Sequence, residues 1–443
     1  MFKNSRRTAA SQHKVLLINV SLTMTPEWTK ASNVYEVNIR QYTPQGNFAG
    51  FSQHLKRLKD MGVDILWLMP IFPIGEKNRK GSLGSPYSIK DYKEVNPDFG
   101  TKKDFAKLVK EIHKLGMHVI LDWVANHTAW DNPWINENPD RYYRDENGNI
   151  LAPNDDWTDV AHLNYNNPDT VAAMIDALQY WVREFDIDGY RCDMAGLVPT
   201  WFWEKAHTEV NKIKDCFWLA EWEDPAIHSA FDATYSWELH NVLKQIVKKE
   251  KNVYDLDHNR SYELYRFQPE NYRLTFTTNH DESAWNGTEY DRFGDGAVTL
   301  AALTYILPGI PLIYTGQESA FKNTQPLFEK IDIDWKDYPL ADFYTKLNAL
   351  KKQNPALWNG TFGGTFSKIM TTNNWKAYVV ARVKDGNKVL AFFNISDEQI
   401  DFYAENELLG GTYTDIMDGT EHTIASRQHF FMKPSEFRIL VAK

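Results

Sequence analysis

Ile65-Leu66-Trp67-Leu68-Met69-Pro70 is an unbroken apolar run of strand length, closed by a proline. A strand with one wet face alternates apolar and polar residues. An unbroken run fits a strand covered on both faces, as in a parallel sheet flanked by helices. Helical patterns stand on either side of it. Phe51, Leu55, Leu58 and Met61 recur at helical spacing before Gly62, and Phe105, Leu108, Val109 and Ile112 do so before Gly116. Each glycine stands where a helix C-terminus favours a left-handed residue. The alternation continues along the chain. Strand-like runs fall at 34–39, 65–70, 118–124, 189–194, 217–222, 233–239, 274–278 and 311–314. Helical patterns fall at 51–61, 102–115, 169–185, 201–213, from near His240, from Ala297 and at 342–352. Eight strands alternating with helices predict an α/β fold with a closed (β/α)8 TIM barrel.

Two segments break the rhythm. Residues 128–165 are polar and rich in Asn, Asp, Trp and Pro, a length of loop that is usually functional. After about Trp358 the helical periodicity stops. Ala377-Tyr378-Val379-Val380-Ala381-Arg382-Val383, Asp385-Gly386-Asn387 and Val389-Leu390-Ala391-Phe392-Phe393 read as strand, turn and strand. The expected organisation is a tail at 1–32, a barrel at 33–357 with an insertion at 128–165, and an antiparallel β-sandwich at 358–443.

The chain has 443 residues, 43% hydrophobic and 24% charged, with a formal net charge of −10. That balance suits a folded chain with a large core and disfavours nucleic acid, whose phosphates need a basic footprint. Two cysteines, Cys192 and Cys216, make neither a disulfide framework nor a cysteine zinc site. The apolar stretch 297–314 is interrupted by Pro308-Gly309 and Pro311, so it reads as a buried helix and strand, not a membrane span. Near the N-terminus, Val15-Leu16-Leu17-Ile18-Asn19-Val20-Ser21-Leu22 is short and polar-interrupted, a poor signal peptide. The expectation is a start at Met24 or a frayed tail, and a cytoplasmic protein.

Reactive side chains of such a barrel stand at the C-terminal ends of its strands. The third strand ends in Asp122-Trp123-Val124-Ala125-Asn126-His127, and the fourth carries Arg191-Cys192-Asp193. The fifth ends in Glu221, the seventh in Asn279-His280-Asp281 and the eighth in Gly316-Gln317-Glu318. Side chains alternate along a strand, so Arg191 and Asp193 share one face and Cys192 takes the other. The guanidinium is expected to keep Asp193 ionised, as a nucleophile requires, although a structural ion pair uses the same residues. Glu221 follows Phe217-Trp218-Leu219-Ala220. Apolar neighbours raise a carboxyl pKa, which suits a general acid, while a strand-end ion pair is the alternative. Asp281 either stabilises positive charge on a substrate or caps the next loop. One acid, one nucleophile and a third carboxylate fit glycoside hydrolysis through an oxocarbenium-like transition state. A metal-dependent lyase or isomerase is the competing class, but no His-x-x-x-His spacing or compact His/carboxylate triad occurs, and no metal ligand is assigned.

These segments together resemble the α-amylase family of retaining glycoside hydrolases. Asp122 to His127 is similar to that family's first segment, Gly189-Tyr190-Arg191-Cys192-Asp193-Met194-Ala195 to the second, Leu219-Ala220-Glu221 to the third and Thr278-Asn279-His280-Asp281 to the fourth. Gly309-Ile310-Pro311-Leu312-Ile313-Tyr314-Thr315-Gly316-Gln317-Glu318 resembles the segment around the eighth strand. The resemblance implies Asp193 as nucleophile, Glu221 as acid/base and Asp281 as transition-state stabiliser. It implies that Arg191, His127 and His280 hold the nucleophile and the sugar, that Tyr87 stacks on that sugar, and that Asp122 and Asn126 are mainly structural. Residues 128–165 would be domain B and the β-sandwich domain C.

The implied substrate is an α-glucan or maltooligosaccharide cleaved at internal α-1,4 bonds. A 4-α-glucanotransferase shares every catalytic residue, and a non-catalytic glucan-binding protein is a further alternative. The short N-terminal region argues against cyclodextrinase and neopullulanase relatives, and the short insertion against oligo-1,6-glucosidases. Two departures concern calcium, which many members bind between barrel and domain B. His162, in Ala161-His162-Leu163-Asn164, stands where an Asp ligand is usual, and Gly196-Leu197 stands where a Lys-His pair is usual. Both changes argue against the usual calcium site. Trp130, Trp134, Tyr142, Tyr143 and Trp157 are candidates either for a sugar cleft or for the insertion's own core.

Overall fold

In the computed structural model, which describes residues 25–443, eight parallel strands close into a barrel. They are β1 (Val34–Val37), β2 (Ile65–Leu68), β3 (His118–Trp123), β6 (Gly189–Cys192), β7 (Phe217–Ala220), β8 (Ala233–Tyr235), β9 (Tyr272–Thr275) and β10 (Ile310–Tyr314). Between β3 and β6 the insertion adds β4 (His127–Ala129) and β5 (Val160–His162), paired antiparallel. The apolar and basic segment read at 3–22 lies outside the described residues.

The run 65–68 divides by parity. Ile65 and Trp67 join Val34, Ile120, Leu219, Leu274 and Leu312 in the cluster that fills the barrel. Leu66 and Leu68 face outward into the larger core beneath the helices. Each strand is therefore buried on both faces, which is why it reads as continuous apolar sequence. The same inward parity continues to Glu36, Asp122, Arg191, Asp193 and Glu221, all buried. The barrel interior thus turns from hydrocarbon to charge at its C-terminal rim.

The helices carry the expected stops and starts. Lys102–Lys114 opens on a reciprocal Thr101/Asp104 capping box, and Gly116 beyond it has φ +74°. Several expected boundaries are corrected. The strand expected at 34–39 ends at Val37, and Ile39–Tyr42 is a helical turn. The helix expected at 51–61 is two pieces, Phe48–Ser52 and Leu55–Asp60. The strand expected at 233–239 ends at Tyr235, and the helix Trp237–Val247 starts there. Its buried residues, Leu239, Val242, Leu243 and Ile246, follow helical spacing, so the tail of that apolar run belongs to a helix. A further helix, Tyr254–Arg266, precedes β9.

Beyond the barrel lie β11 (Thr365–Ile369), β12 (Ala377–Lys384), β13 (Asn387–Asn394), β14 (Ile400–Glu405), β15 (Gly411–Asp415), β16 (Glu421–Ile424), β17 (Arg427–Met432) and β18 (Phe437–Ala442). Six form an antiparallel sheet in the order β11-β12-β13-β18-β15-β16, and β14 pairs with β17. Val379, Leu390 and Leu440 of the larger sheet pack with Phe402, Phe430 and Met432 of the smaller. The fold class is therefore a (β/α)8 barrel followed by an antiparallel β module. Arg382 Nη1 donates to Ile306 O at 2.7 Å, tying that module to the barrel. Among the described residues no helix is long and apolar enough to cross a membrane. Both cysteines are buried free thiols.

One glycine decides how the two central strands of the rim meet. A Cβ at Gly189 would lie 2.0 Å from Phe217 O, where β6 runs beside β7. Gly189→Ala is expected to destabilise the protein by about 3 kcal/mol through that backbone clash, with thermal melting of both proteins as the check.

Candidate active site

Arg191 is fully buried at the end of β6 and is shared among carboxylates. Its Nη1 donates to Asp122 Oδ1 at 2.9 Å and to Asp193 Oδ1 at 3.2 Å. Its Nη2 lies 2.9 Å from Glu221 Oε2, an ion pair without hydrogen-bond alignment. Nε donates to the Tyr235 hydroxyl at 3.1 Å. Asp122 is held from its other side by Trp67 Nε1 at 3.0 Å and the Tyr87 hydroxyl at 2.8 Å. Asp122 is thus the inner anchor that fixes the guanidinium, while Asp193 and Glu221 face a cavity.

Arg191 is not the only influence on the ionisation of Asp193. Burial, reinforced by the neighbouring Glu221 carboxylate, pushes Asp193 well above the usual carboxylate range, and Arg191 only opposes that rise. The reason is stoichiometric: one cation serves three carboxylates, and Asp122 has the closer Nη1 contact. Glu221 also departs from its sequence environment. It faces Arg191 and accepts a hydrogen bond from Met194 N at 2.9 Å, instead of resting against the apolar residues that precede it. Met194 has φ +41°, a left-handed conformation for a non-glycine residue.

The opposite wall comes from the short helix His280–Trp285, capped by Asn279, whose side chain accepts from Glu282 N. His280 Nδ1 donates to Glu36 Oε1 at 2.5 Å, and Nε2 lies 3.3 Å from Asp281 Oδ2. Burial would strip the imidazolium of its proton, but Asp281 and Glu36 outweigh it and raise its pKa to about 9. The Tyr87 ring stacks on His280 at 5.1 Å. His127, by contrast, is buried without a carboxylate partner. Burial, with His162 nearby, lowers its pKa to about 3, so it stays neutral. Asn126 Nδ2 meets His127 Nδ1 at 3.2 Å, and Asn126 O accepts from Leu163 N at 3.1 Å. Asn126 therefore links β3 to the insertion.

These groups open onto a cavity of about 350 Å³, lined by Tyr87, His127, Asp193, Glu221, His280 and Asp281 among others. That volume is in the range of small-molecule sites. Trp157 also lines it, with its ring edge against His127 at 5.6 Å. The other aromatic candidates of the insertion do not. Trp134 packs on Tyr92, the Tyr142 hydroxyl meets Thr128, Tyr143 lies on His162, and Trp130 Nε1 donates to Thr158 O. Sequence reasoning missed Trp285 and Phe328, whose rings meet at 5.8 Å on the cavity wall. Trp285 is 60% exposed and one helical turn from Asp281, a spacing visible in the sequence. Phe328 carried no such signal. Glu36 did, as the lone charge within the buried strand Val34–Val37.

The calcium position implied by the resemblance is occupied by other chemistry. His162 pairs with His127 across β4 and β5, and its ring lies 4.7 Å from that of Tyr143. The two imidazoles do not fit a cation that takes about six to eight oxygen ligands. Among the described residues no three His, Cys, Asp or Glu side chains form a metal-holding group. Gly196 is likewise constrained: a Cβ there would lie 1.9 Å from the Trp222 ring. Trp222 thus fills the space where a side chain at 196 would reach the cleft.

Comparisons with known proteins agree with this geometry. The family model for the alpha-amylase catalytic domain matches residues 2–157 and 154–394. "Alpha-amylase 2" of Dictyoglomus thermophilum is 25% identical over 448 residues, covering 90% of this chain and 74% of that protein. A noncanonic maltogenic alpha-amylase of Thermotoga neapolitana superposes with a TM-score of 0.86 at 28% identity, covering 94% of this chain and 99% of that one. An alpha-amylase of Lactobacillus plantarum gives 0.84 at 30% identity, covering 94% of this chain and 100% of that one.

The His280 pair sets a pH dependence. His280 holds its proton to about 9 in the folded protein, above the ordinary 6.5. Its stabilising contribution is therefore complete below about 6.5 and is lost as pH rises through about 9. Melting temperatures measured from pH 6 to 10 are expected to fall more steeply across that window in the wild type than in His280→Gln.

Proposed function

The chain belongs to the alpha-amylase family and is a glycoside hydrolase, and from that membership we propose that it cleaves internal α-1,4-glucosidic bonds of starch, glycogen or maltooligosaccharides with retention of configuration. The observation that carries the reading is the shared cation: Asp193 and Glu221 both meet Arg191 at one end of a single cavity, with Asp281 on its other wall. A retaining mechanism needs two carboxyls holding one proton between them. Asp193 attacks the anomeric carbon and forms a glycosyl ester. Glu221 gives its proton to the departing glycosidic oxygen, then takes one from the water that opens the ester. Asp281, backed by the His280 imidazolium and Glu36, faces the positive charge that develops on the sugar ring. Tyr87 and Trp157 supply flat apolar surface for the pyranose, and neutral His127 offers a hydrogen bond. Trp285 and Phe328 extend that surface along the cleft toward a neighbouring glucosyl unit.

The pair assignment predicts different losses for its two members. Asp193→Asn is expected to abolish release of short α-anomeric maltooligosaccharides from maltoheptaose and soluble starch. Glu221→Gln is expected to lose about a hundredfold to ten-thousandfold on maltoheptaose, yet to keep most of its glycosylation rate on α-maltosyl fluoride, whose leaving group needs no proton. Pre-steady-state release of fluoride measures that step directly. Equal losses on both substrates would sink the acid role of Glu221. Products longer than the starting oligosaccharide would reassign the chain to glucan transfer.

The imidazole-rich seam between barrel and insertion leads to a separate expectation. Rates on soluble starch should be unchanged after dialysis against EDTA, as measured by reducing-end release with and without added calcium.

A further inference from the structure

Asp281 stands on the helix His280–Trp285, whose 6 residues are too few to hold an orientation by their own hydrogen bonds. The next side chain, Glu282, leaves the helix about 100° further around its axis, is buried, and does not line the catalytic cavity. It faces two neighbouring helices instead. Its Oε2 lies 3.1 Å from His240 Nε2 and 3.9 Å from Lys244 Nζ on the helix Trp237–Val247, and 3.4 Å from Arg292 Nε on the helix Glu289–Phe293. Asn286 Nδ2 donates to its Oε1 at 3.1 Å. Burial lowers the His240 pKa below its ordinary value, so near pH 7 the charges that answer Glu282 are those of Arg292 and Lys244. The Arg292 side chain, only 6% exposed, also grips the main chain. Its Nη2 donates to Thr277 O at 3.0 Å, and its Nη1 to Glu282 O at 3.3 Å and to Gly287 O. One guanidinium therefore holds the chain before, within and after the helix that carries Asp281.

A buried ion pair adds little net stability, because desolvation offsets the attraction. What this one can fix is an orientation. Asp281 faces charge that develops only in the transition state, so displacing its carboxylate costs rate and not ground-state binding. We propose that Glu282 and Arg292 are positioning residues for Asp281. Their ion pair and the three carbonyl contacts of Arg292 set the rotation of the helix His280–Trp285, and with it the distance from the Asp281 carboxylate to the anomeric carbon. Neither residue lines the cavity, so each acts through Asp281 and not on the sugar. The inference rests on the transition-state role of Asp281 in the α-glucan reading. A side chain that served folding alone would change melting and leave the rate of the folded protein as it was.

The test uses the full chain, with thermal melting to establish that each variant is folded at the assay temperature. Glu282→Gln keeps the shape of the side chain and an acceptor for Asn286, but removes the charge that Arg292 answers. It is expected to lower kcat on maltoheptaose about thirtyfold and to leave KM within about twofold. Arg292→Lys, which keeps the charge and loses the grip on three carbonyls, should move kcat in the same direction and is the second variant in case Glu282→Gln fails to fold. The deciding measurement is a double-mutant cycle with Asp281→Asn, run on α-maltosyl fluoride, whose reactivity keeps slow variants measurable. Once Asp281 has lost its charge, Glu282→Gln should cost less than about twofold more. Losses that multiply in the double variant, or an unchanged kcat in the folded single variants, would overturn the positioning role while leaving the catalytic reading intact. An Asp281→Asn protein as fast as the wild type would overturn the role of Asp281 itself, and the inference with it.

Discussion

The structure depends on one buried guanidinium. Arg191 sits at the point where the barrel interior changes from hydrocarbon to charge, with no exposed surface of its own. An ion in such a place is expensive to bury unless its charge and its hydrogen bonds are answered. Asp122, Asp193, Glu221 and the Tyr235 hydroxyl answer them. Replacing Arg191 with an apolar residue would leave three carboxylates crowded together without a cation. The carboxylates are equally dependent on the register of β3, β6 and β7, because a shift by one residue would turn each to the helix side.

Aromatic rings complete the cage. The Arg191 Cζ lies 4.7 Å from the Trp67 ring centroid and 5.7 Å from that of Tyr235. Those faces attract a cation and exclude water, so nearby charges interact more strongly than they would in solvent. Removal of water also drives the unequal protonation of the rim. His280, with carboxylates on two sides, is held as a cation, whereas His127, without one, is held neutral. Two histidines of one cavity are thereby assigned opposite electrostatic roles by their neighbours.

Strain and exposed aromatic surface are concentrated in the same region. Met194 adopts φ +41° immediately after Asp193, and Trp285 exposes its ring beside Asp281. Proteins carry such features where a site needs a directed N–H or an open platform, and offset them with a well-packed scaffold elsewhere. Here the scaffold is the apolar barrel filling of Val34, Ile65, Trp67, Ile120 and Leu219 below the rim.

Much of this was legible in the chain. Unbroken apolar runs separated by helical patterns specify strands covered on both faces, and the period of two along each strand determines which residues share a face. That is why Arg191 and Asp193 could be set together, with Cys192 behind them, from sequence alone. The runs at 34–39 and 233–239 marked their strands but not their ends, because a short apolar stretch satisfies either a strand or the first turn of a buried helix until packing decides. Which partners surround a group is a different kind of information. The Arg191 contacts shared by Asp193 and Glu221, the Glu36 contact that charges His280, the Trp222 ring over Gly196 and the meeting of Trp285 with Phe328 all join residues far apart in the chain. Desolvation and Coulomb interaction depend on distances in space, so only the closed barrel fixed them.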